Sequence, residues 1–304
     1  MSTQHRASGF ASPNNAVSGN AADSADAFEA PEASNAPEVQ SDHRHRPVAL
    51  VTGAAKRLGL AIACELARAG HDIALHCRHS LAEAQLAAET LRALGARVAV
   101  LSADLSDEAA TQALLPAAIG QLGRVDVLVN NASSFDYDAP DSFTYASFTR
   151  LMQANCASAV LLTQALHQHL QARDAKGCAI NLLDQKLWNP NPDYFSYSLS
   201  KAALEAANTM LAMALAPRLR VCGVAPGVTL VSGPMDEAEF DQAHRLTPLR
   251  RSSTSQDVAR AVRFLVESPA ITGTTLLVDG GQHLQGQSRD VLFLAREQLR
   301  RQQA

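Results

Sequence analysis

Short apolar runs alternate along the chain with longer stretches of helical periodicity. Val48-Ala49-Leu50-Val51 is a buried-strand pattern that ends in Thr52-Gly53, and a 3.6-residue periodicity over 58–69 follows it, closed by Gly70 as a C-cap. The same alternation predicts strands at 72–76, 97–101, 125–129, 178–182, 219–224 and 275–278. Between them it predicts helices at 80–94, 107–121 and about 146–173, and one carrying Tyr197. Seven strands separated by helices imply an α/β fold with a parallel, doubly wound sheet. Ligands of such a sheet bind beyond the carboxyl ends of the strands, where the strand order reverses.

Composition divides the chain into three parts. Residues 1–45 are rich in Ala, Ser, Asn, Pro and acids, with Phe10, Val17, Phe28 and Val39 as large apolar groups, too few to repay the entropy of ordering. The segment is expected to be a disordered extension; a start codon placed too far upstream accounts for it equally well. It lacks the apolar core of a secretory signal, and Asp23, Asp26, Glu29, Glu32, Glu38 and Asp42 argue against an Arg-rich transit peptide. Residues 46–286 have globular composition and suffice for one large domain. Residues 287–304 form a charged helical tail with Val291, Leu292, Leu294 and Leu299 on a weakly apolar face, expected either to cover a neighbouring subunit or to fray. A net charge of −4 gives no electrostatic reason to expect nucleic acid. No apolar run approaches the ~18 residues of a membrane span. The five cysteines, Cys64, Cys77, Cys156, Cys178 and Cys222, are odd in number and widely spaced, which suggests neither a disulfide framework nor a metal site and fits a reducing cytoplasm.

The candidate chemistry centres on Tyr197-Ser198-Leu199-Ser200-Lys201, with Asp184 thirteen residues before the tyrosine. A tyrosine and a lysine four apart share a helix face, and the ammonium is expected to lower the phenol pKa, while an ionised Asp184 beside the tyrosine is expected to raise it, partly counter the lysine and keep the proton for donation. An ordinary amphipathic helix with a surface lysine has the same spacing, so context must decide. Thr52-Gly53-Ala54-Ala55-Lys56-Arg57-Leu58-Gly59 fills the first βα turn, where glycines allow close backbone approach and a helix N-terminus offers N–H groups to a pyrophosphate. At the end of the second strand, His76-Cys77-Arg78-His79-Ser80 contains no acid to accept a ribose 2′-hydroxyl. Its cation, imidazole and hydroxyl suit a 2′-phosphate, hence NADPH; a solvated basic turn is the blander reading.

Further segments fall where a known family has its motifs: Ser102-Ala103-Asp104-Leu105 after the third strand, Val129-Asn130-Asn131-Ala132-Ser133 after the fourth, Asn155 in the long helix, and Ala225-Pro226-Gly227 after the sixth. With the glycine loop and the Tyr-x-x-x-Lys pentad, this order resembles the short-chain dehydrogenase/reductase superfamily. The resemblance implies a Rossmann-type fold with Asp104 and Leu105 near the adenine. It further implies Asn131, Ala132, Ser133, Pro226 and Gly227 along the dinucleotide, and Asn155 as a structural and proton-relay residue. Two departures stand out. Arg57 replaces the usual middle glycine of the loop, and Asp184 occupies the position of the usual serine, with no hydroxyl residue in 180–185 to take its place.

The Asp/Tyr/Lys arrangement resembles the pteridine reductases and their bacterial relatives, the dihydromonapterin reductases. Arg57, His76, Ser80, the loop Asn131-Ala132-Ser133-Ser134-Phe135 and the terminus Asp279-Gly280-Gly281-Gln282-His283-Leu284 are similar to that branch, whereas Cys77, Arg78 and His79 depart from it. The likeness implies that Phe135 stacks on the substrate, that Arg57 and Ser133 contact cofactor phosphate or pterin, that Tyr194 lines the pocket, and that Asp184 orients the heterocycle. Each pocket role competes with plain packing, and Trp188 either caps the pocket or buries itself. The implied activity is NADPH-dependent reduction of a dihydropterin, with Tyr197 as proton donor and Lys201 on the nicotinamide ribose. A generic carbonyl reductase and a non-catalytic NADPH-binding regulator are the rival readings. A homotetramer is implied through the small-residue helices that begin near 146 and 196; burial of those helices within one subunit is the alternative.

Overall fold

The computed structural model describes residues 46–231 and 234–303, so the extension expected at 1–45 lies outside the described residues. Seven parallel strands form one sheet in the order β3-β2-β1-β4-β5-β6-β7. They are β1 (Val48–Val51), β2 (Asp72–Cys77), β3 (Val98–Ser102), β4 (Val127–Asn130), β5 (Gly177–Leu182), β6 (Leu219–Pro226) and β7 (Thr275–Val278). Because the chain builds outward from β1 in one direction and then returns through β4 to build in the other, the carboxyl ends of β1 and β4 flank the crevice at the point of reversal.

Every residue of β1, β2 and β4 is buried, as a sheet covered on both faces requires. The two faces are legible within β1 itself. Ala49 and Val51 pack with Ile62 and Leu66 of α1 (Arg57–Arg68), Leu91 of α2 (Leu81–Ala93), and Val258 and Val262 of α8 (Ser255–Glu267). Val48 and Leu50 point the other way, towards Leu114 and Ala118 of α3 (Glu108–Leu122), Leu162 and Leu166 of α5 (Ser158–Ala172), and Ala212 of α6 (Phe195–Leu215). The period-2 alternation of the strand therefore divides one apolar run between two cores.

Three features depart from the sequence pattern. The helix expected over 146–173 is interrupted: α4 (Tyr145–Met152) passes into a π-helical segment, Gln153–Ala157, before α5 resumes, and Asn155 sits in that segment. Such bulges concentrate at functional sites because one extra residue per turn re-aims a side chain. Helices α7 (Glu237–Arg245) and α8 lie in the stretch between β6 and β7 where the pattern predicts no element. Each is announced by a capping box, Asp236 with Glu239 and Thr254 with Asp257. The C-terminal helix α9 (Val291–Gln303) packs on α7 of its own chain, with Val291, Leu292 and Ala295 against Met235 and Ala243. Among the described residues no helix is long and apolar enough to cross a membrane.

Candidate active site

Two adjoining cavities open at the carboxyl ends of the strands, of about 610 and 580 Å³, and Arg57, Leu58, Asn131, Ser133 and Phe135 line both. The first lies over the β1–α1 turn. Gly53 has φ +64°, and a Cβ on Gly59 would collide with the Gly53 carbonyl and the Asn131 amide, so the helix can close on the loop only with glycine there. Asn131 holds the loop from β4, its amide donating to the carbonyls of Thr52 (2.8 Å) and Gly53 (3.2 Å), while Thr52 Oγ1 accepts from the N–H groups of Asn131 and Ala132. Arg57 itself has φ +58°, the left-handed conformation that glycine normally supplies at this place. Its guanidinium spans the cleft and donates to the Val231 carbonyl at 2.7 Å, a contact no glycine could make. The departure in sequence thus keeps the backbone and adds a cation at the seam of the two cavities.

The second-strand turn is used differently from expectation. His76 is buried, its Nδ1 accepts from the Gly53 N–H at 3.2 Å and its Nε2 lies 3.1 Å from the Ala103 carbonyl, which it can only approach as donor. Burial pushes its pKa below the ordinary imidazole value. It lines the nucleotide-side cavity, as a site residue should, but as a neutral ring that clamps the glycine loop. Arg78 is exposed and lines the nucleotide-side cavity with Asp104, Leu105 and Ala132; His79 and Ser80 line neither cavity. Asp104 accepts from the Ser106 N–H (2.9 Å) and hydroxyl (2.7 Å), which hold its carboxyl below the usual range.

The second cavity carries the reactive groups. Asp184 follows β5 and caps a 3₁₀ turn, Gln185–Trp188. One of its carboxylate oxygens accepts from the Lys186 N–H and the other from the Tyr197 hydroxyl, both at 2.9 Å. Tyr197 lies in the first turn of α6, with Lys201 one turn on, and Lys201 Nζ donates to the Leu182 carbonyl at 2.7 Å. Asn155 ties the pieces together. Its oxygen accepts from the Ser134 N–H (2.7 Å) and Ser133 hydroxyl (3.2 Å), and its amide donates to the Ser134 carbonyl (2.9 Å) and Ser200 Oγ (3.0 Å).

The electrostatics decide between the two opposed effects expected on Tyr197, in favour of Asp184. Burial, followed by the Asp184 carboxylate, raises the Tyr197 pKa well above its ordinary value. Lys201 does not lower it here. Its Nζ is 5.8 Å from the ring centroid and engaged with Leu182, whereas the carboxylate is on the hydroxyl itself. Burial brings Lys201 down to about 8, with Asp184 opposing, and raises Asp184 above the usual carboxylate value, opposed by the bonds from Lys186 and Tyr197. The phenol therefore holds its proton until a reaction takes it.

Phe135 is 41 % exposed at the junction of the cavities, stacked on Tyr194 at 4.3 Å and edge-on to Tyr197 at 4.7 Å. Tyr194, expected in the pocket lining, is buried behind Phe135 as its backing. Trp188 is 40 % exposed and lines neither cavity. Pro226 and Gly227 border the second cavity as expected. Sequence reasoning missed Gln185, Lys186, Gln282, Gln287 and Asp290, which also line it. Lys186, two residues beyond Asp184, was within reach of inspection. Asp290, more than a hundred residues away, had no local signal.

Comparison with known proteins agrees with this geometry. The model of a family described as enoyl-(acyl carrier protein) reductase matches residues 53–283. Pteridine reductase 1 of Leishmania tarentolae is 34% identical over 281 residues, covering 78% of this chain and 96% of that protein. An uncharacterized oxidoreductase of Methylorubrum extorquens is 35% identical over 243 residues, covering 77% and 96%. The crystal structure of FolM alternative dihydrofolate reductase 1 from Brucella canis, complexed with NADP, superposes with a TM-score of 0.76 at 37% identity, covering 80% of this chain and 96% of that one. Asp184, Tyr197 and Lys201 at one cavity, the glycine cradle at the other and these relatives lead to one placement: the chain belongs to the short-chain dehydrogenase/reductase family, in its pteridine reductase branch.

Proposed function

We propose that the protein is an NADPH-dependent reductase of dihydropterins such as dihydromonapterin or dihydrobiopterin, taking them to the tetrahydro form. The observation that carries this reading is the Asp184 carboxylate, hydrogen-bonded to Tyr197 and facing the same cavity as Phe135. An ionised carboxylate accepts hydrogen bonds from the N–H groups of a heterocycle and opposes the alkoxide that develops from a simple ketone. Gln185 and Gln282, each with a buried side-chain oxygen that has no partner among the described residues, add acceptor capacity to the same wall. The exposed ring of Phe135 offers a flat apolar face.

The first cavity fits a dinucleotide. The cradle that a Cβ on Gly59 would fill, the α1 N-terminus and the acid-free turn with Arg78 suit a pyrophosphate and a 2′-phosphate, and the Brucella canis relative is described in complex with NADP. When bound, NADPH supplies the hydride, which adds to the ring imine carbon. Tyr197 delivers its proton to the adjacent ring nitrogen, Asp184 and Phe135 orient the heterocycle, and Lys201 would hold the nicotinamide ribose. General acid help of this kind contributes roughly 10²- to 10⁴-fold. Turnover of oxidised pterins and of dihydrofolate belongs to the same chemistry. A cytoplasmic homotetramer is the proposed setting; the exposed Tyr145 of α4 and Met210 and Met213 of α6 are apolar groups available to a subunit contact.

The test is NADPH oxidation by the purified protein with 7,8-dihydromonapterin, dihydrobiopterin, dihydrofolate and a panel of ketones and 3-oxoacyl thioesters. Turnover of a dihydropterin well above every ketone supports the reading. Ketone turnover without dihydropterin turnover replaces it with a carbonyl reductase, and NADPH binding without turnover of either points to a regulator.

A further inference from the structure

The chain beyond β7 does more than end the domain. From Gln285 to Asp290 it runs as a strap along the loop that follows Asp184. Asn189 donates to the Gln285 carbonyl and accepts from the Gln287 N–H at 3.0 Å. Asp193, nearly fully buried, receives the Arg289 fork at 2.8 and 2.9 Å and the Asp290 N–H at 2.7 Å. Helix α9 anchors the strap to α7 through the apolar contacts already described and through Arg296 on Glu239 and Gln242 on Gln298. So held, Gln287, Asp290 and Val291 form part of the wall of the cavity that contains Asp184 and Tyr197.

One connection reaches the reactive groups directly. Lys186 is a buried cation whose Nζ donates to the Asp193 carbonyl at 2.5 Å and pairs with Asp290 Oδ2 at 3.2 Å. The backbone N–H of the same residue donates to Asp184, and Asp184 accepts from Tyr197. The strap, Lys186, Asp184 and Tyr197 thus form one chain of contacts. A lysine buried beside a cavity is costly unless paired, so the conformation of the Asp184 turn depends on the anion that the strap delivers.

We propose that the C-terminal strap is a working part of the active site: it closes the substrate cavity from within the same subunit, and Asp290, acting through Lys186, is a positioning residue for Asp184. The proposal rests on the reading of that cavity as the substrate site. Asp290 touches no reacting atom; it fixes the turn whose N–H orients the carboxylate.

The experiment is a double-mutant cycle on the full chain with Asp290→Asn, Lys186→Met and both together, measuring kcat and KM at saturating NADPH and the Kd of NADPH. Asparagine keeps the oxygen that accepts from the Leu292 N–H at the start of α9, so folding of the strap is spared. Each single variant is expected to lose about tenfold or more in kcat/KM, carried in kcat, and the double no more than about threefold beyond the worse single, because the two residues act as one unit. The Kd of NADPH stays within about twofold, since neither residue lines the nucleotide-side cavity. Wild-type kinetics in Asp290→Asn, or losses that multiply in the double variant, would overturn the proposal, and Asp290→Asn decides alone where Lys186→Met does not bind NADPH. If the wild type reduces ketones and no dihydropterin, the pterin assignment falls while the cycle, run on the ketone, still decides the role of the strap. A wild type inert towards both sinks both.

Discussion

Replacing Asp184 by asparagine isolates the group on which the substrate assignment depends. The amide has the carboxylate's shape, yet it offers one acceptor where the structure uses two, the Lys186 N–H and the Tyr197 O–H each donating at 2.9 Å. Whichever way the amide turns, its NH₂ faces one of those donors, and no negative charge remains to meet an N–H of the substrate. A hydrogen bond to a charged group contributes about 1.5–3 kcal/mol, which corresponds to a loss of roughly 10- to 150-fold in kcat/KM for a dihydropterin. Because Asp184 is, after burial, the main cause of the raised Tyr197 pKa, the phenol of the variant becomes more acidic. Any turnover of a simple ketone is then unchanged or increased. Thermal stability does not fall in parallel, since an ionised carboxyl whose pKa is raised by burial costs the fold at neutral pH.

The assay is the loss of NADPH absorbance with dihydropterin and ketone under identical conditions, beside a Kd for NADPH and a melting curve. Dihydropterin reduction within about threefold of wild type would refute the reasoning, because the charge would then contribute less than ~1 kcal/mol to the transition state. An equal loss for dihydropterin and ketone would do so too, since it would mean that the carboxylate only supports the fold.

Lys201 is charged only below its folded-state value of about 8, so kcat/KM is expected to fall as pH rises through about 8, and Lys201→Arg should abolish that limb of the pH–rate profile. The linked stability has the opposite slope: between about 8 and the ordinary 10.5 the unfolded chain binds the extra proton, so the melting temperature gains from this group as pH rises across that window. Gly59→Ala should abolish NADPH binding measured by fluorescence while leaving a folded protein, because its methyl group would press on Gly53, Ala54 and Asn131 and open the cradle; retained affinity would remove the cradle from the argument. Arg78→Ala should reduce the preference for NADPH over NADH by about 3- to 10-fold, the modest size reflecting an exposed charge, and competitive titration of the two cofactors reads it directly.

What the sequence disclosed and what it withheld separate along physical lines. Short apolar runs bounded by turn residues made β1 to β7 legible, although only β1, β2 and β4 are buried throughout, and the residues whose chemistry depends on backbone position, such as Gly53, Gly59 and the Tyr197–Lys201 pair, were legible too. His76 was legible as a residue of the nucleotide-side cavity, but not its bonds, because an imidazole at a strand end reads alike whether it faces a phosphate or bonds Gly53 and Ala103; only the third dimension assigns its two nitrogens. The opposed effects of Lys201 and Asp184 on Tyr197 were legible from spacing, but their balance was not, because spacing is silent about burial, which sides with the carboxylate. Periodicity could not reveal the π segment around Asn155, since a single inserted residue shifts the phase without breaking the helix. The strap was invisible for a related reason. Asp290 and Arg289 look like an ordinary solvated pair in a charged tail, and they gain meaning only from Asp193 and Lys186, far upstream and themselves unremarked. Local pattern therefore identifies an oxidoreductase of this family, while the part of the cavity that this chain builds for itself is encoded in long-range pairings of charge, and these are the contacts to mutate when its substrate is sought.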